Sequence, residues 1–351
     1  MKQVTVAVIG CGAIANRAHL PALSAMPDVR IKYAVDIIPE RASAAVQKYG
    51  CEQAVTDYRV AAGDGEVDAV YVLTPNHAHY EITMDCLRQG KHVFCEKPVT
   101  VSYPKSAEMA QAAAENNVTL NIGVCNRYHR TVERIRDLAA AGALGRIYHV
   151  YCSFRNFRSI PGLGGAFTTK AASGGGVLID WGVHFLDLIL YITGARARAV
   201  SAADYGLLGG DIAGYTYTSM WAGPPDRNGV YDVDDFVSGF VRTDGPTISF
   251  NGAWAQNVDE EEMYVDFLGD KAGVRMQYGG GFKVFGARDG ALYAAEEKYT
   301  IPDMYAEEDA DFIRAVRSGK RCRNHIDDVL DTMRLLDAIY RSGREGREVT
   351  L

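Results

Sequence analysis

Val4-Thr5-Val6-Ala7-Val8-Ile9-Gly10-Cys11-Gly12-Ala13-Ile14-Ala15 is the stretch on which the fold turns. Its first six residues form a nearly continuous apolar run, the pattern of a strand covered on both faces. Gly10-Cys11-Gly12 ends the run, and a helix is expected to start near Ala13, with Pro21 bending or ending it. The run is too short for the apolar core of a signal peptide and meets glycine at once, so it reads as a first strand. The glycines have mechanical meanings in a G-x-G-x-x-A pattern. Gly10 permits the tight turn, Gly12 lets the backbone approach a pyrophosphate, and Ala15 lets the helix lie close to the strand. The free amides around Ala13 and Ile14 at the helix start attract phosphate.

Outward from this turn, strands and helices alternate. Strands are expected over 29–35, 68–73, 91–95 and 118–122, and helices over 39–49, 77–87 and 104–115. Such alternation implies an α/β domain with a doubly wound parallel sheet, placed at 1–125. Beyond it the pattern changes. Segments 147–157, 215–221, 236–242, 247–254, 264–268 and 273–276 read as strands separated by Gly, Pro and Asp turns, with helices near 305–317 and 327–342. The region 126–351 therefore reads as an α+β domain with a mostly antiparallel sheet.

Bulk properties exclude several classes. The formal net charge of −7 and the scattered Lys and Arg give no basic face, so no nucleic-acid partner is expected. No apolar run reaches the roughly 18 residues of a membrane helix. The seven Cys form no C-x-x-C pair, against a disulfide framework or a zinc site and for a reducing, cytoplasmic setting.

Ligands of open α/β sheets bind at the carboxyl ends of the strands. Asp36 ends the second strand, where a carboxylate accepts both ribose hydroxyls and repels a 2′-phosphate, favouring NAD over NADP. Arg41 lies about one helical turn beyond, which leaves dual use open. Thr74-Pro75-Asn76, with His79 soon after, and Glu96-Lys97-Pro98 follow the next two strands. Lys97, next to an oxidised nicotinamide and desolvated, is expected to have a lowered proton affinity and to orient or deprotonate a substrate hydroxyl.

In the second half, Gly174-Gly175-Gly176 precedes a helix apolar almost all round, whose polar exceptions are Asp180, His184 and Asp187. Spaced i, i+4, i+7, they share one stripe, which faces a polar cleft or forms a satisfied internal network. No third and fourth ligand accompany them, so no metal site is expected.

Taken in order, Gly10–Ala15 with His19-Leu20-Pro21-Ala22-Leu23, Thr74-Pro75-Asn76-His77-Ala78-His79, Glu96-Lys97-Pro98, and Gly174-Gly175-Gly176 with Asp180, Gly182 and His184 resemble the glucose–fructose oxidoreductase / inositol dehydrogenase / rhizopine catabolism (GFO/IDH/MocA) family over nearly the whole chain. The resemblance implies a Rossmann domain followed by an open, mostly antiparallel sheet. It also implies a nicotinamide cofactor, a sugar or cyclitol substrate, and a homodimer or homotetramer. By motif, Lys97, Asp180 and His184 correspond to its catalytic trio. Asn126-Arg127-Tyr128 resembles its substrate-side loop, with Arg127 toward cofactor or ligand and Tyr128 toward ligand. The stretch 154–169, with Arg155, Arg158 and Phe167, corresponds to a pocket wall. Two other readings stand beside a reversible dehydrogenase. One is a closed redox cycle on retained NAD, giving sugar–sugar exchange or elimination. The other is a non-enzymatic nucleotide sensor.

Overall fold

In a computed structural model, which describes residues 3–100 and 102–351, the chain forms two compact units. The first comprises Met1–Tyr128 with Pro302–Leu330, the second His129–Ile301 with Asp331–Leu351.

The first unit carries a six-stranded sheet of β1 (Val4–Ile9), β2 (Val29–Val35), β3 (Gln53–Val55), β4 (Ala69–Val72), β5 (His92–Glu96) and β6 (Leu120–Gly123), in the order β3-β2-β1-β4-β5-β6. Every pair is parallel. All six residues of β1 are buried, as its apolar run requires at the centre of such a sheet. The strand order reverses between β1 and β4, and the crevice at that switch point is where such sheets bind ligands. A π turn (Ala15–His19) leads into α1 (Leu20–Ser24), followed by α2 (Pro39–Tyr49), α3 (Tyr58–Ala62), α4 (His79–Arg88) and α5 (Tyr103–Glu115). The short strand β3 and helix α3 lie outside the expected elements.

The helix α9 (Met304–Ser318) completes this unit. The sequence reading assigns 302–330 to the second domain, but the core explains the difference. Tyr71 and Phe94 stack at 4.9 Å, and Phe312 of α9 packs edge-on against them at 5.5 and 5.7 Å. Burying that phenylalanine contributes about 1.5–3 kcal/mol.

The second unit carries β7 (Ile147–Arg155), β8 (Ala197–Tyr205), β9 (Phe236–Thr243), β10 (Thr247–Ala253), β11 (Glu262–Gly269), β12 (Ala272–Gln277), β13 (Phe282–Arg288), β14 (Ala291–Glu296) and β15 (Val349–Thr350). They form one sheet in the order β14-β13-β12-β11-β7-β10-β9-β8-β15, antiparallel except for β7 with β10. Along β7, Val150, Cys152 and Phe154 point to one face and are buried, while Tyr151 between them points to the other and is exposed. The helices are α6 (Arg130–Ala140), α7 (Lys170–Ser173), α8 (Val183–Thr193) and, from Asp331 on, α10 (Ile326–Glu345).

Residues 215–221 are not a strand. They belong to the long connection from β8 to β9, where Tyr215 is buried under the Arg158 guanidinium. Residues 170–193 correct a second expectation: their length and mean hydropathy of 1.5 are those of a membrane span. Most of that stretch is buried inside the protein, so its apolar character serves the core.

Candidate functional site

The first unit's ligand-facing features begin at the glycine turn. Gly10 has φ +95°, and a Cβ there falls 2.5 Å from the Leu73 carbonyl oxygen, so only glycine fits. Gly12 differs: a Cβ there meets nothing within 4 Å. The protein's own packing does not demand that glycine, and the space beside it is open, as a close-approaching pyrophosphate requires. The Asp36 carboxylate accepts the main-chain N–H groups of Cys11 and Ile38, both at 2.9 Å, which ties the end of β2 to the turn. Each of its oxygens retains a lone pair for a ribose hydroxyl. Burial, then Asp36, pushes the neighbouring Cys11 thiol up to about 12, so it is an inert apolar side chain. At the end of β4, the Thr74 hydroxyl is buried without a hydrogen-bond partner among the described residues. Pro75 beside it is exposed and Asn76 half-buried. The observations at Gly12, Asp36 and Thr74 fit a bound dinucleotide.

Three residues expected to touch ligand are turned inward. His79 is fully buried, and its ring nitrogens lie 2.8 Å from the carbonyls of Thr74 and Pro98. It therefore fastens the β4 and β5 end loops together, and burial holds its proton affinity below the ordinary histidine value. Arg127 is buried and donates to the carbonyls of Asp328, at 2.8 Å, and Arg323. Tyr128 is buried, donates to Asp311 at 2.7 Å and lies under the Arg323 guanidinium. Both anchor the 125–128 turn to the segment 302–330, which the sequence reading places in the other domain.

Glu96, expected to contact cofactor, is also buried. One carboxylate oxygen accepts the Lys97 main-chain N–H at 2.9 Å and the other lies 3.0 Å from His19 Nε2. Lys97 itself is half-buried, at the end of β5. His19 sits at zero exposure in the π turn, with its Nδ1 2.9 Å from Asp309 of α9. Burial alone lowers its proton affinity, but Asp309 and then Glu96 outweigh it and hold His19 well above the usual value. Glu96 is depressed despite burial, chiefly by His19. Glu308, fully buried with Asn324 donating to it at 2.5 Å, is raised well above the carboxylate range by burial and then by Glu96. Sequence reading quotes His19 only as part of a motif, and nothing marks Asp309 or Glu308 as its neighbours.

In the second unit, the Gly174–Gly176 run has a separate reason at each position. Gly174 adopts φ +84° to end α7. A Cβ on Gly175 overlaps the Tyr340 hydroxyl, and one on Gly176 overlaps the Asp234 main chain. Asp234 accepts N–H groups from Gly176 at 2.7 Å and Leu178 at 3.0 Å, and the Tyr340 hydroxyl at 2.7 Å. It is a side-chain cap for the helical stretch that follows, which opens as a π turn (Leu178–Gly182) and runs into α8. Across residues 177–190, Asp180, Trp181 and His184 alone are not buried. Asp187, the third member of the expected stripe, is instead buried and accepts the Thr332 hydroxyl at 2.9 Å.

The Arg155 guanidinium pairs with Glu262 at 2.6 Å and Glu260 at 3.2 Å. These pairs link β7 to the start of β11 and leave an anionic ligand at Arg155 two carboxylates to displace. Phe167 is half-buried and meets the exposed Trp221 edge-on at 5.0 Å. Asp234 and Trp221 escape sequence reading because both lie in or beside the irregular connection between β8 and β9. No cluster of three His, Cys, Asp or Glu able to hold a metal occurs among the described residues.

Residues 4–124 match the model of an oxidoreductase family with an NAD-binding Rossmann fold, and residues 132–275 match the GFO/IDH/MocA C-terminal domain. The chain belongs to the GFO/IDH/MocA oxidoreductase family. A D-glucoside 3-dehydrogenase of Escherichia coli (strain K12) is 28% identical over 359 residues, covering 99% of this chain and 97% of that protein. A putative UDP-kanosamine synthase oxidoreductase subunit of Amycolatopsis mediterranei (strain S699) is 30% identical over 284 residues, 79% of this chain and 76% of that one. The solved structure of levoglucosan dehydrogenase with NADH and levoglucosan superposes with a TM-score of 0.84 at 23% identity, covering 99% of both chains. Parallel first sheet and mixed second sheet are thus the GFO/IDH/MocA architecture.

Proposed function

We propose that this chain is an NAD-dependent dehydrogenase acting on a secondary hydroxyl of a sugar or sugar-like ring. The observation that carries the reading is the polar stripe of Asp180 and His184 on an otherwise buried helix, behind a glycine run that Asp234 holds in place. An ionisable pair left accessible on a core helix is maintained for chemistry more readily than for packing.

Bound NAD supplies the hydride acceptor, and the residues at Gly10, Gly12, Asp36 and Thr74 are the ones that hold it. Asp36 disfavours a 2′-phosphate, which is the basis for NAD rather than NADP. His184 takes the hydroxyl proton, Lys97 donates a hydrogen bond to the same oxygen and stabilises its developing charge, and Asp180 orients the imidazole. Similarity over the whole chain to a protein named a D-glucoside 3-dehydrogenase supports a hexose or hexoside substrate.

The test is absorbance at 340 nm with NAD and a panel of hexosides, hexoses, anhydrosugars and cyclitols. NADH formation with one class, abolished in His184→Ala and Lys97→Ala, is the expected result. Sugar conversion without NADH accumulation replaces the reading with a closed redox cycle. A His184→Ala enzyme with unchanged kcat across pH removes His184 as the base.

A further inference from the structure

We propose that His19 is a positioning residue for cofactor binding: it ties the phosphate-facing helical stretch to the far half of the first sheet, and so sets the span that a dinucleotide must cross. The inference rests on the cofactor site and is independent of which alcohol is oxidised.

Each half of a doubly wound sheet takes one mononucleotide, and the ligand crosses the switch point between them. Here the switch lies between β1 and β4. The strands on its two sides are fixed to each other by a parallel ladder from Val6–Ala69 to Ile9–Val72. The helical stretch that follows β1, residues 13–24, has no ladder to hold it, and its first N–H groups are those a dinucleotide's phosphates meet. Its near end is pinned to the glycine turn. Asn16 Nδ2 donates to the Cys11 and Gly12 carbonyls at 2.9 Å, and the Asn16 main-chain N–H donates to Gly12 at 3.1 Å. The Tyr49 hydroxyl of α2 donates to the Asn16 carbonyl at 3.0 Å. These bonds all lie on the β1–β2 side of the switch.

His19 carries the stretch across. The Leu20 N–H donates to the Ala15 carbonyl, five residues back, so the helix is widened here. Ala18, His19 and Leu20 are buried in succession. Successive residues of an α-helix point about 100° apart, so a regular turn does not set three in a row against a sheet, and the wider turn accommodates them. The His19 ring lies 5.9 Å from Tyr71 of β4 and edge-on to Phe94 of β5 at 4.9 Å. Its Nε2 is 3.0 Å from the carboxylate of Glu96, the last residue of β5, and its Nδ1 is 2.9 Å from Asp309 of α9. Two strand spacings, roughly 10 Å, separate β1 from β5, and the imidazole bridges them. The far anchor is itself fixed. Glu96 also accepts the Lys97 main-chain N–H at 2.9 Å, and a Cβ on its β6 neighbour Gly123 would fall 2.9–3.1 Å from the carboxylate atoms. Burying an imidazole between two carboxylates adds little stability over an apolar side chain of the same volume. What it adds is a fixed position, because hydrogen bonds are directional and apolar contacts are not.

Calorimetric titration of the full chain with NADH and, separately, with AMP tests this, because AMP occupies one half of the site and NADH both. His19→Gln, which cannot grip Glu96 and Asp309 together as the imidazole does, is expected to weaken NADH by roughly tenfold or more and AMP by less than about threefold. In a Glu96→Gln background the same change is expected to cost NADH a smaller factor, since the anchor is already weakened. Asp309→Asn, which keeps the side chain's shape and loosens the ring from behind, is the second route should His19→Gln fail to fold, and a fall in the NADH-to-AMP affinity ratio is expected there too. Folded variants that keep the parent's ratio overturn the proposal, whether both affinities fall together or neither does. So does an equal loss with and without Glu96. A parent chain that binds no NADH removes the cofactor site and the proposal with it, an outcome distinct from failure in the variants alone.

Discussion

Replacing Gly12 by alanine should separate cofactor binding from folding. A Cβ at this position meets nothing within 4 Å, and the backbone is outside the left-handed region. Gly-to-Ala at a compatible position stabilises by about 0.4–1 kcal/mol, chiefly by restricting the unfolded chain. For a unit of this size the Tm without cofactor then rises by roughly 1–4 °C. The same methyl enters the open space that the pyrophosphate needs. Losing one charge-assisted amide–phosphate hydrogen bond, about 1.5–3 kcal/mol, weakens NAD binding by roughly 10- to 150-fold. Gly10→Ala is the contrast. Its φ of +95° costs about 1–2 kcal/mol with a side chain present, and the 2.5 Å approach to Leu73 O adds about 1–3 kcal/mol of overpacking. The Tm should fall by roughly 4–20 °C. Thermal unfolding without cofactor and calorimetric titration with NAD on both variants suffice. A Gly12→Ala protein that binds NAD as tightly as the parent refutes the assignment of that space to phosphate. A Gly10→Ala protein as stable as the parent refutes the strained turn.

Gly176→Ala places a Cβ 2.7 Å from the Asp234 carbonyl carbon and 2.9 Å from its nitrogen, so the cap must shift. A loss of about 2–4 kcal/mol by denaturant unfolding is expected, with kcat reduced, and an unaffected kcat would detach the cap from the placement of Asp180 and His184. Thr332→Val removes the hydroxyl donated to buried Asp187 and should cost about 1–3 kcal/mol without changing KM, as equilibrium unfolding and steady-state kinetics will show. Asp36→Ala should weaken NAD and improve the NADP-to-NAD ratio of kcat/KM; an unchanged ratio leaves Asp36 as a brace of the turn alone. The pH dependence of stability has a worked sign. Glu308 has its folded value raised far above the unfolded one, so its contribution is complete below about pH 4.5 and is lost as pH rises toward the folded value. Glu308→Gln, fixed in the neutral form, should therefore gain Tm relative to the parent as pH rises from 5 to 8, and a falling difference contradicts a protonated Glu308.

The first sheet was legible because its signals are local. The apolar run at Val4–Ile9, the glycine turn and Pro39 at the head of α2 each mark a boundary within a few residues, and α2 falls over 39–49 as expected. The stripe on the 177–190 helix was legible through its period, and the structure keeps Asp180 and His184 accessible while removing Asp187 into the core. What escaped depends on partners distant in sequence. His19 meets Asp309 290 residues later, and Arg127 turns toward Asp328 rather than outward. The strand β14 has almost no buried residue and hence no alternation to read, while 215–221 carries strand-like residues into a loop whose tyrosine is buried by tertiary packing. Burial pattern signals an element only when one face of it is covered.

The membership of α9 in the first unit also has a consequence for the order of synthesis. A ribosome releases β1 to β6 long before Phe312 and Asp309 exist, so at that stage nothing can cover the Tyr71–Phe94 stack as Phe312 does or hold His19 Nδ1 as Asp309 does. The dinucleotide-binding half cannot reach its final core as an N-terminal product. It is completed only once the segment from Pro302 onward has left the exit tunnel, so the packing of α9 follows the synthesis of β7 to β14.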